Sequence, residues 1–430
     1  MLALFSFYNR RTFDKDRGGA MKYQELFPIP IEWVQDLDES MSATVAGWAE
    51  REVVSGRLEH REDYDSLLLP AMRKLFVDIG CQAMLLPGEL GGGGLAPGGA
   101  AVTAAVVLEQ VGSADTGIGF LLGNTLSLQS AFGIEAHRDE ALLSELAPVF
   151  CGDQEAVCSL VLPTYGDGID GDRGFYGLDY QVAAAQEDGQ WILNADGARP
   201  QCSGATARFF GIVFGLEDGT PAVALVSSGA AGLSAGEPLK KTGLAASVNA
   251  DLELKGVKVP GGYVVLTGAD RLRELLCWYY MCCSAVCSGA MLASYEILKE
   301  WGDTRVIKGK GQVFKENPLV AALMGEIGGR AATSRILTYD LARMLSRPDI
   351  YAPAGGQAIY ATATAVFKQV SRAVMKSIDN AMELMASAGY ATEWNLERYW
   401  RDVKTIETYV VPETAALTDM ARHYFGLKRL

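Results

Sequence analysis

The strongest constraint in this sequence is a change in the spacing of its apolar residues, which happens twice. Between residues 32 and 147 apolar side chains recur at three- and four-residue steps, as in PIEWVQDLDESMSATVAGWAEREV and LLLPAMRKLFVDIG, the pattern of amphipathic helices. Near residue 150 the pattern becomes alternate. VCSLVLP, YQVAAAQEDGQWILNAD, ARFFGIVFG, TPAVALVSS and ADLELKGVKVP read as strands parted by Gly, Asp and Pro, with Glu187, Asp188 and Gly189 at a hairpin turn. From residue 269 the helical pattern returns and holds to the end. An α+β chain is expected: an N-terminal helical domain at 22–149, a middle β-domain at 150–268 and a C-terminal four-helix bundle at 269–430. Residues 1–21 hold an apolar and basic piece too short for an anchor. They are expected to be disordered, or to precede a true start at Met21.

Charge and cysteine usage exclude several classes. The balance of 38 basic against 52 acidic residues, a net of -14, is the wrong sign for nucleic acid, which needs a basic face. The most apolar stretch, residues 275–293, is interrupted by Ser284, Ser288 and Gly289 and reads as a core helix, so no membrane span is expected. Cys81, Cys151, Cys158, Cys202, Cys277, Cys282, Cys283 and Cys287 are scattered, with neither zinc spacing nor a secretory signal. Buried thiols in a reducing cytoplasm, and no metal site, are the expectation. The glycine-rich residues 88–99, GELGGGGLAPGG, form a loop; no Gly-Lys-Ser/Thr follows, which argues against a phosphate-binding P-loop.

The last stretch, RDVKTIETYVVPETAALTDMARHYFG at 401–426, resembles the catalytic loop of the flavin-dependent acyl-CoA dehydrogenases. Arg401, Asp402, Lys404, Tyr409, Ala421, Arg422, His423 and Gly426 keep the family frame without a gap, but the position after the tyrosine, the usual glutamate base, is Val410. Residues 87–95 resemble the family's Pro-Glu-Glu-Tyr-Gly-Gly-x-Gly segment, and the helix after them is similar to one that lines the acyl pocket. The resemblance covers residues 21–430 and implies the acyl-CoA dehydrogenase fold, FAD as cofactor, an acyl-CoA substrate, tetramers built through the bundle, and an electron-transferring flavoprotein as electron acceptor.

The same resemblance locates the departures. In PTYGDGID the glycines Gly166 and Gly168 persist as flavin-loop candidates, while the expected threonine and serine are Pro163 and Ile169. After Asn194 the tryptophan over the ring is Arg199, leaving Gln201 and Ser203 as candidate flavin contacts. Ser247 is kept in KKTGLAASVN, but the family arginine there is Ala245. Arg305 and Gly309 match the arginine and glycine that reach a neighbouring subunit's FAD pyrophosphate. Glu383, Ala386 and Ser387 replace a glutamine and two glycines. For the missing base three positions compete: Glu413, three residues past Val410; Glu109, on the helix similar to a pocket helix; and Tyr279, where some relatives carry the glutamate. The Val410 N–H is expected to survive as a thioester donor, a role in which one donor is worth ~3 kcal/mol.

Two functions follow from the resemblance. One is the degenerate subunit of a hetero-oligomeric FAD-dependent acyl-CoA dehydrogenase, with a paralogous subunit supplying flavin and base. The other is a self-sufficient FAD enzyme that oxidises, or eliminates from, an unusual acyl-CoA with a relocated base. A structural or regulatory role is a third, weaker option. The count of departures at ligand-facing motifs favours the first.

Overall fold

The computed structural model describes residues 23–95, 98–165, 178–351, 353 and 355–426. The expectation for 1–21 lies outside these residues. The first layer is helical: α1 (Asp36–Trp48), α2 (Ser55–His60), α3 (Leu69–Arg73), α4 (Ala100–Ala114), α5 (Thr116–Gln129) and α6 (Glu140–Phe150). Side chains start these helices. Asp115 accepts the Ile118 N–H at the head of α5, and Asp139 accepts those of Ala141 and Leu142 at the head of α6.

The strands are β1 (Cys158–Val161), β2 (Thr164–Tyr165), β3 (Leu178–Asp179), β4 (Ala183–Glu187), β5 (Gln190–Ala198), β6 (Phe209–Gly215), β7 (Pro221–Ser227), β8 (Leu233–Ala235), β9 (Leu252–Pro260) and β10 (Val264–Thr267). They form one sheet in the order β1-β6-β7-β10, a second in the order β4-β5-β9-β8, and the pair β2-β3. Only β1 with β6 is parallel. The hairpin of β4 and β5 closes with Glu187 opposite Gln190, and Asp188 and Gly189 both take positive φ (48° and 78°), as a two-residue primed turn demands.

Alternation along β6 explains its unbroken apolar run. Phe209 and Val213 join the main helical core, where Phe209 stacks on Phe150 with ring centroids 5.6 Å apart. Phe210, Ile212 and Phe214 face a second core between the two larger sheets, with Leu193, Leu254 and Val257. A strand buried on both faces has no polar side to show.

The C-terminal region comprises α7 (Ala269–Thr304), α8 (Pro318–Ser346), α9 (Pro348–Tyr351), α10 (Gln357–Met385), α11 (Leu396–Tyr409) and α12 (Glu413–Tyr424). The final stretch is therefore two helices, parted at Val410 and Val411 where Pro412 opens α12. Helix α7 is long and apolar enough to span a bilayer, yet its most apolar window is wholly buried among α4, α5, α8 and α10. It meets α4 at close range. A Cβ on Gly289 would lie 2.1 Å from the Glu109 carbonyl oxygen, and one on Gly112 would lie 2.4 Å from that of Val286. The chain is a mixed α+β structure with a helical N-terminal domain, a β-domain and a helical C-terminal region.

Glu109 sits at this crossing, and its carboxylate is fully engaged. Oε1 accepts from Arg335 Nη2 (2.9 Å) and Tyr339 Oη (3.2 Å); Oε2 accepts from Arg335 Nε (2.8 Å) and Ser288 Oγ (3.5 Å). Arg335 in turn donates to the carbonyl oxygens of Tyr23 (3.3 Å) and Phe27. Both side chains are 1% exposed. Removing one partner of a buried pair strands the other's charge, so Glu109→Ala is expected to lower unfolding free energy in urea by about 3–5 kcal/mol. The apolar double variant Glu109→Leu/Arg335→Leu is expected to recover most of that loss.

Candidate functional site

The turn after β5, residues 199–204, faces α7 on one side and the α11–α12 corner on the other, and side chains from three regions brace it. Asn249 donates from Nδ2 to the Pro200 carbonyl (3.0 Å) and accepts the Gly204 N–H at Oδ1 (2.9 Å). Tyr409 donates from its hydroxyl to the same Pro200 oxygen (3.1 Å). Ser247 Oγ accepts the Ser203 N–H (2.9 Å). Ser203 is buried with φ 47°, a strained conformation for a non-glycine, and its Oγ has no partner among the described residues.

Across this turn lies Tyr279 of α7, whose hydroxyl donates to Gln201 Oε1 at 2.9 Å. The Gln201 N–H is bonded to the Leu160 carbonyl (2.8 Å). Tyr279 is wholly buried, and burial first, then neighbouring Cys283 and Cys202, push its phenol well above the usual tyrosine range. It stays protonated, a donor rather than a base.

The α11–α12 corner holds Val410, 5% exposed and packed into the main core. Its N–H, expected to remain a thioester donor, is spent on the Ile406 carbonyl at 3.2 Å because α11 runs on to this point. Lys368 of α10 locks the corner from beneath, donating to the carbonyl oxygens of Glu407 (3.1 Å) and Val411 (2.7 Å). Burial holds its ammonium below the usual lysine range.

Neither carboxylate candidate reaches the corner's interior. Glu413 points outward in the first turn of α12, more than half exposed, paired with Arg372. Glu109 is locked by Arg335, as above, which corrects its reading as a pocket residue. Arg199 does not floor a pocket either: its guanidinium makes a two-point bond to Asp251 (2.6 and 2.7 Å) at the surface. Arg305 caps the far end of α7 with its guanidinium 5.3 Å over the Trp301 ring. At the helical rise it stands roughly 40 Å along the axis from Tyr279, and Gly309 lies beyond it. Gly166 and Gly168 lie outside the described residues. Gln201, Ser203, Ser247 and Tyr279 are thus brought together; Glu109, Glu413, Arg305 and Gly309 are not. No cluster of metal-ligating side chains occurs among the described residues.

Sequence reading missed Asn249 and Lys368, and it missed what Asp402 does. The Asp402 Oδ1 accepts the Leu244 N–H at 2.5 Å, tying α11 to the loop before β9; its other oxygen lies 3.9 Å from Arg398. Arg398 also approaches Asp115 (3.5 Å), which pairs with Arg57 (2.7 Å). Gly243 lets the loop approach, since a Cβ there would lie 2.4 Å from the Arg401 carbonyl oxygen. Burial raises the Asp115 carboxyl, but Arg57 and Arg398 outweigh burial and hold it below the usual range. Burial, then the Asp115 charge, push Asp402 up to about 7.

The residues present do not fit an isoalloxazine in this arrangement. The Gln201 side-chain oxygen that the flavin edge would meet is taken by the hydroxyl of the buried Tyr279.

Residues 267–423 match the family described as acyl-CoA dehydrogenase, C-terminal domain. The cyclohex-1-ene-1-carbonyl-CoA dehydrogenase of Geobacter metallireducens is 24% identical over 374 residues, covering 84% of this chain and 90% of that one. Among solved structures, butyryl-CoA dehydrogenase from Megasphaera elsdenii superposes with a TM-score of 0.75 at 18% identity, covering 91% of this chain and 99% of that one. A glutaryl-CoA dehydrogenase from Mycobacterium smegmatis in complex with FADH2 gives a TM-score of 0.75 at 18% identity, covering 93% and 97%.

Asp402 yields a pH prediction. Its folded value lies above the ordinary aspartate value of about 3.9, so the folded state holds this proton more tightly. The stability it contributes is complete below that lower value and is lost as pH rises through about 7. Unfolding free energy is expected to fall between about pH 4 and pH 7, by at most ~1.4 kcal/mol per unit from this group, and to level off above. Asp402→Asn, which keeps an acceptor for Leu244, is expected to flatten that fall in urea titrations across the range.

Proposed function

From the premise that this chain is a member of the acyl-CoA dehydrogenase family, we propose that it is the degenerate subunit of a hetero-oligomeric, FAD-dependent acyl-CoA dehydrogenase acting on a CoA thioester. A paralogous subunit supplies the flavin and the carboxylate base. The observation that carries this reading is the hydrogen bond from Tyr279 to Gln201. In this reading two side chains at the flavin and alternative base positions satisfy each other. Val410 at the base position, with its N–H spent, supports the same view. So do the carboxylates of Glu109 and Glu413, held by Arg335 and Arg372 out of the interior of the α11–α12 corner.

In this assembly the present chain contributes surfaces and the partner contributes chemistry. Electrons leave through an electron-transferring flavoprotein. A reducing cytoplasm suits the eight free thiols, seven of them buried. One observation favours the self-sufficient alternative: Ser203 Oγ is buried without a partner beside Gln201, where a ligand oxygen could meet it.

The readings separate on colour. The chain produced alone is expected to be colourless, with no absorbance in the flavin bands. Co-expressed with a dehydrogenase-like protein encoded beside it, the complex is expected to carry flavin and to reduce an electron-acceptor dye with acyl-CoA. A full flavin complement in the solitary chain would remove the subunit reading.

A further inference from the structure

On another side of α7, Trp278 leaves the helix about 100° around from Tyr279 and helps to wall a cavity of about 90 Å³ between the α5–α6 connection, α7 and the end of α8. Leu85, Leu86, Leu95, Ile134 and Leu345 supply most of the remaining apolar wall. Two of the lining residues carry a buried polar atom with no partner among the described residues: Ser346 at Oγ, on a residue 5% exposed, and Arg138 at Nε. The lining carboxylate of Glu274 is already satisfied. His137 Nε2 lies 2.8 and 2.9 Å from its two oxygens, and Arg271 donates to Oε2. Burial tends to raise Glu274, but His137 and Arg271 prevail and keep it ionised below the usual range. Arg138 makes only a long contact, 3.5 Å, to the exposed Glu89 through its terminal nitrogen.

We propose that this cavity is a binding site for a compact apolar molecule that carries one hydrogen-bond-accepting oxygen. Arg138 Nε–H and the Ser346 hydroxyl hold the oxygen, and the leucine and tryptophan walls hold the body. The polarity follows from what is left over. Of the two lining carboxylates Glu274 is saturated and Glu135 belongs to an exposed residue at the rim, whereas the two donors are unanswered, so a ligand that enters brings the acceptor. The size follows from the volume, which admits roughly six non-hydrogen atoms. Water alone answers the two polar atoms but leaves the apolar wall unmatched, since a buried water wants two to four polar partners. This site is independent of the subunit reading.

Calorimetric titration of the full chain with isobutyramide, isobutyrate and isobutylammonium tests the proposal. The amide and the carboxylate are expected to saturate one site per chain, and the ammonium, which lacks an acceptor, to give no saturable heat. Ser346→Ala is expected to weaken isobutyramide at least fivefold. Ala136→Leu, at the exposed rim, is expected to abolish binding with the urea midpoint unchanged. Absence of saturable binding by both acceptor probes overturns the proposal, as does equal binding of all three. Wild-type affinity in both variants, or a crystal soaked with isobutyramide that shows only water in the cavity, also overturns it.

Discussion

Four buried ionisable side chains hold the three parts of this chain in one arrangement. Arg57 from α2 and Asp115 between α4 and α5 belong to the N-terminal helices, Arg398 and Asp402 belong to α11, and Asp402 reaches the β-domain through the Leu244 N–H. The two arginines lie beside Asp115, which stays ionised, and Asp402, which titrates at about 7; such pairing is the condition for keeping these groups out of water. Their placement sets the course of α11, and α11 sets where Tyr409 and Val410 arrive. Leu244 takes φ 58° to present its N–H, so the loop accepts backbone strain to make this contact. A cluster of this kind costs about as much to desolvate as it returns in Coulomb energy, and its value is geometric.

That dependence gives part of the motif a structural task apart from any chemistry. Arg401 donates to the Thr242 carbonyl and pairs with Glu62, and Asp402 holds Leu244. These residues retain packing work whether or not a proton is transferred nearby. Val410 makes no such polar side-chain contact: its apolar side chain joins the core. The same reasoning separates Ser247, which braces the Ser203 N–H, from Ala245, whose missing guanidinium leaves no buried partner stranded among the described residues.

The layer order was legible because it rests on periodicity. Strands such as β6 and the turn at Asp188 and Gly189 follow from alternation and turn chemistry alone. The site was less legible for a different reason. Glu109 lay on the helix taken to line a pocket, but its partner Arg335 is 226 residues away, and nothing local announces the pair. Lys368 likewise reads as an ordinary polar residue on an amphipathic helix; only the turn of the chain at Val411 makes it a buried cap. Arg199 resembled a residue over a ring until Asp251, on the approach to β9, drew it to the surface. Sequence spacing reports which side of an element a residue takes, and the partner on the other element is a tertiary fact.

The space between α7 and the turn after β5 poses a physical problem, because polar groups facing an empty space lose their hydrogen bonds and apolar groups their contacts. Tyr279 answers both. Its ring supplies aromatic bulk, 6.3 Å from Phe120 and 6.2 Å from Tyr280 between centroids, and its hydroxyl gives Gln201 the donor it would otherwise lack. Since burial keeps the phenol protonated, the bond persists across the physiological range and does not open on mild titration. A smaller residue would leave a cavity, and an apolar one of equal size would leave the amide oxygen unpaired. The tyrosine thus joins α7 to the turn after β5 by packing and hydrogen bonding together.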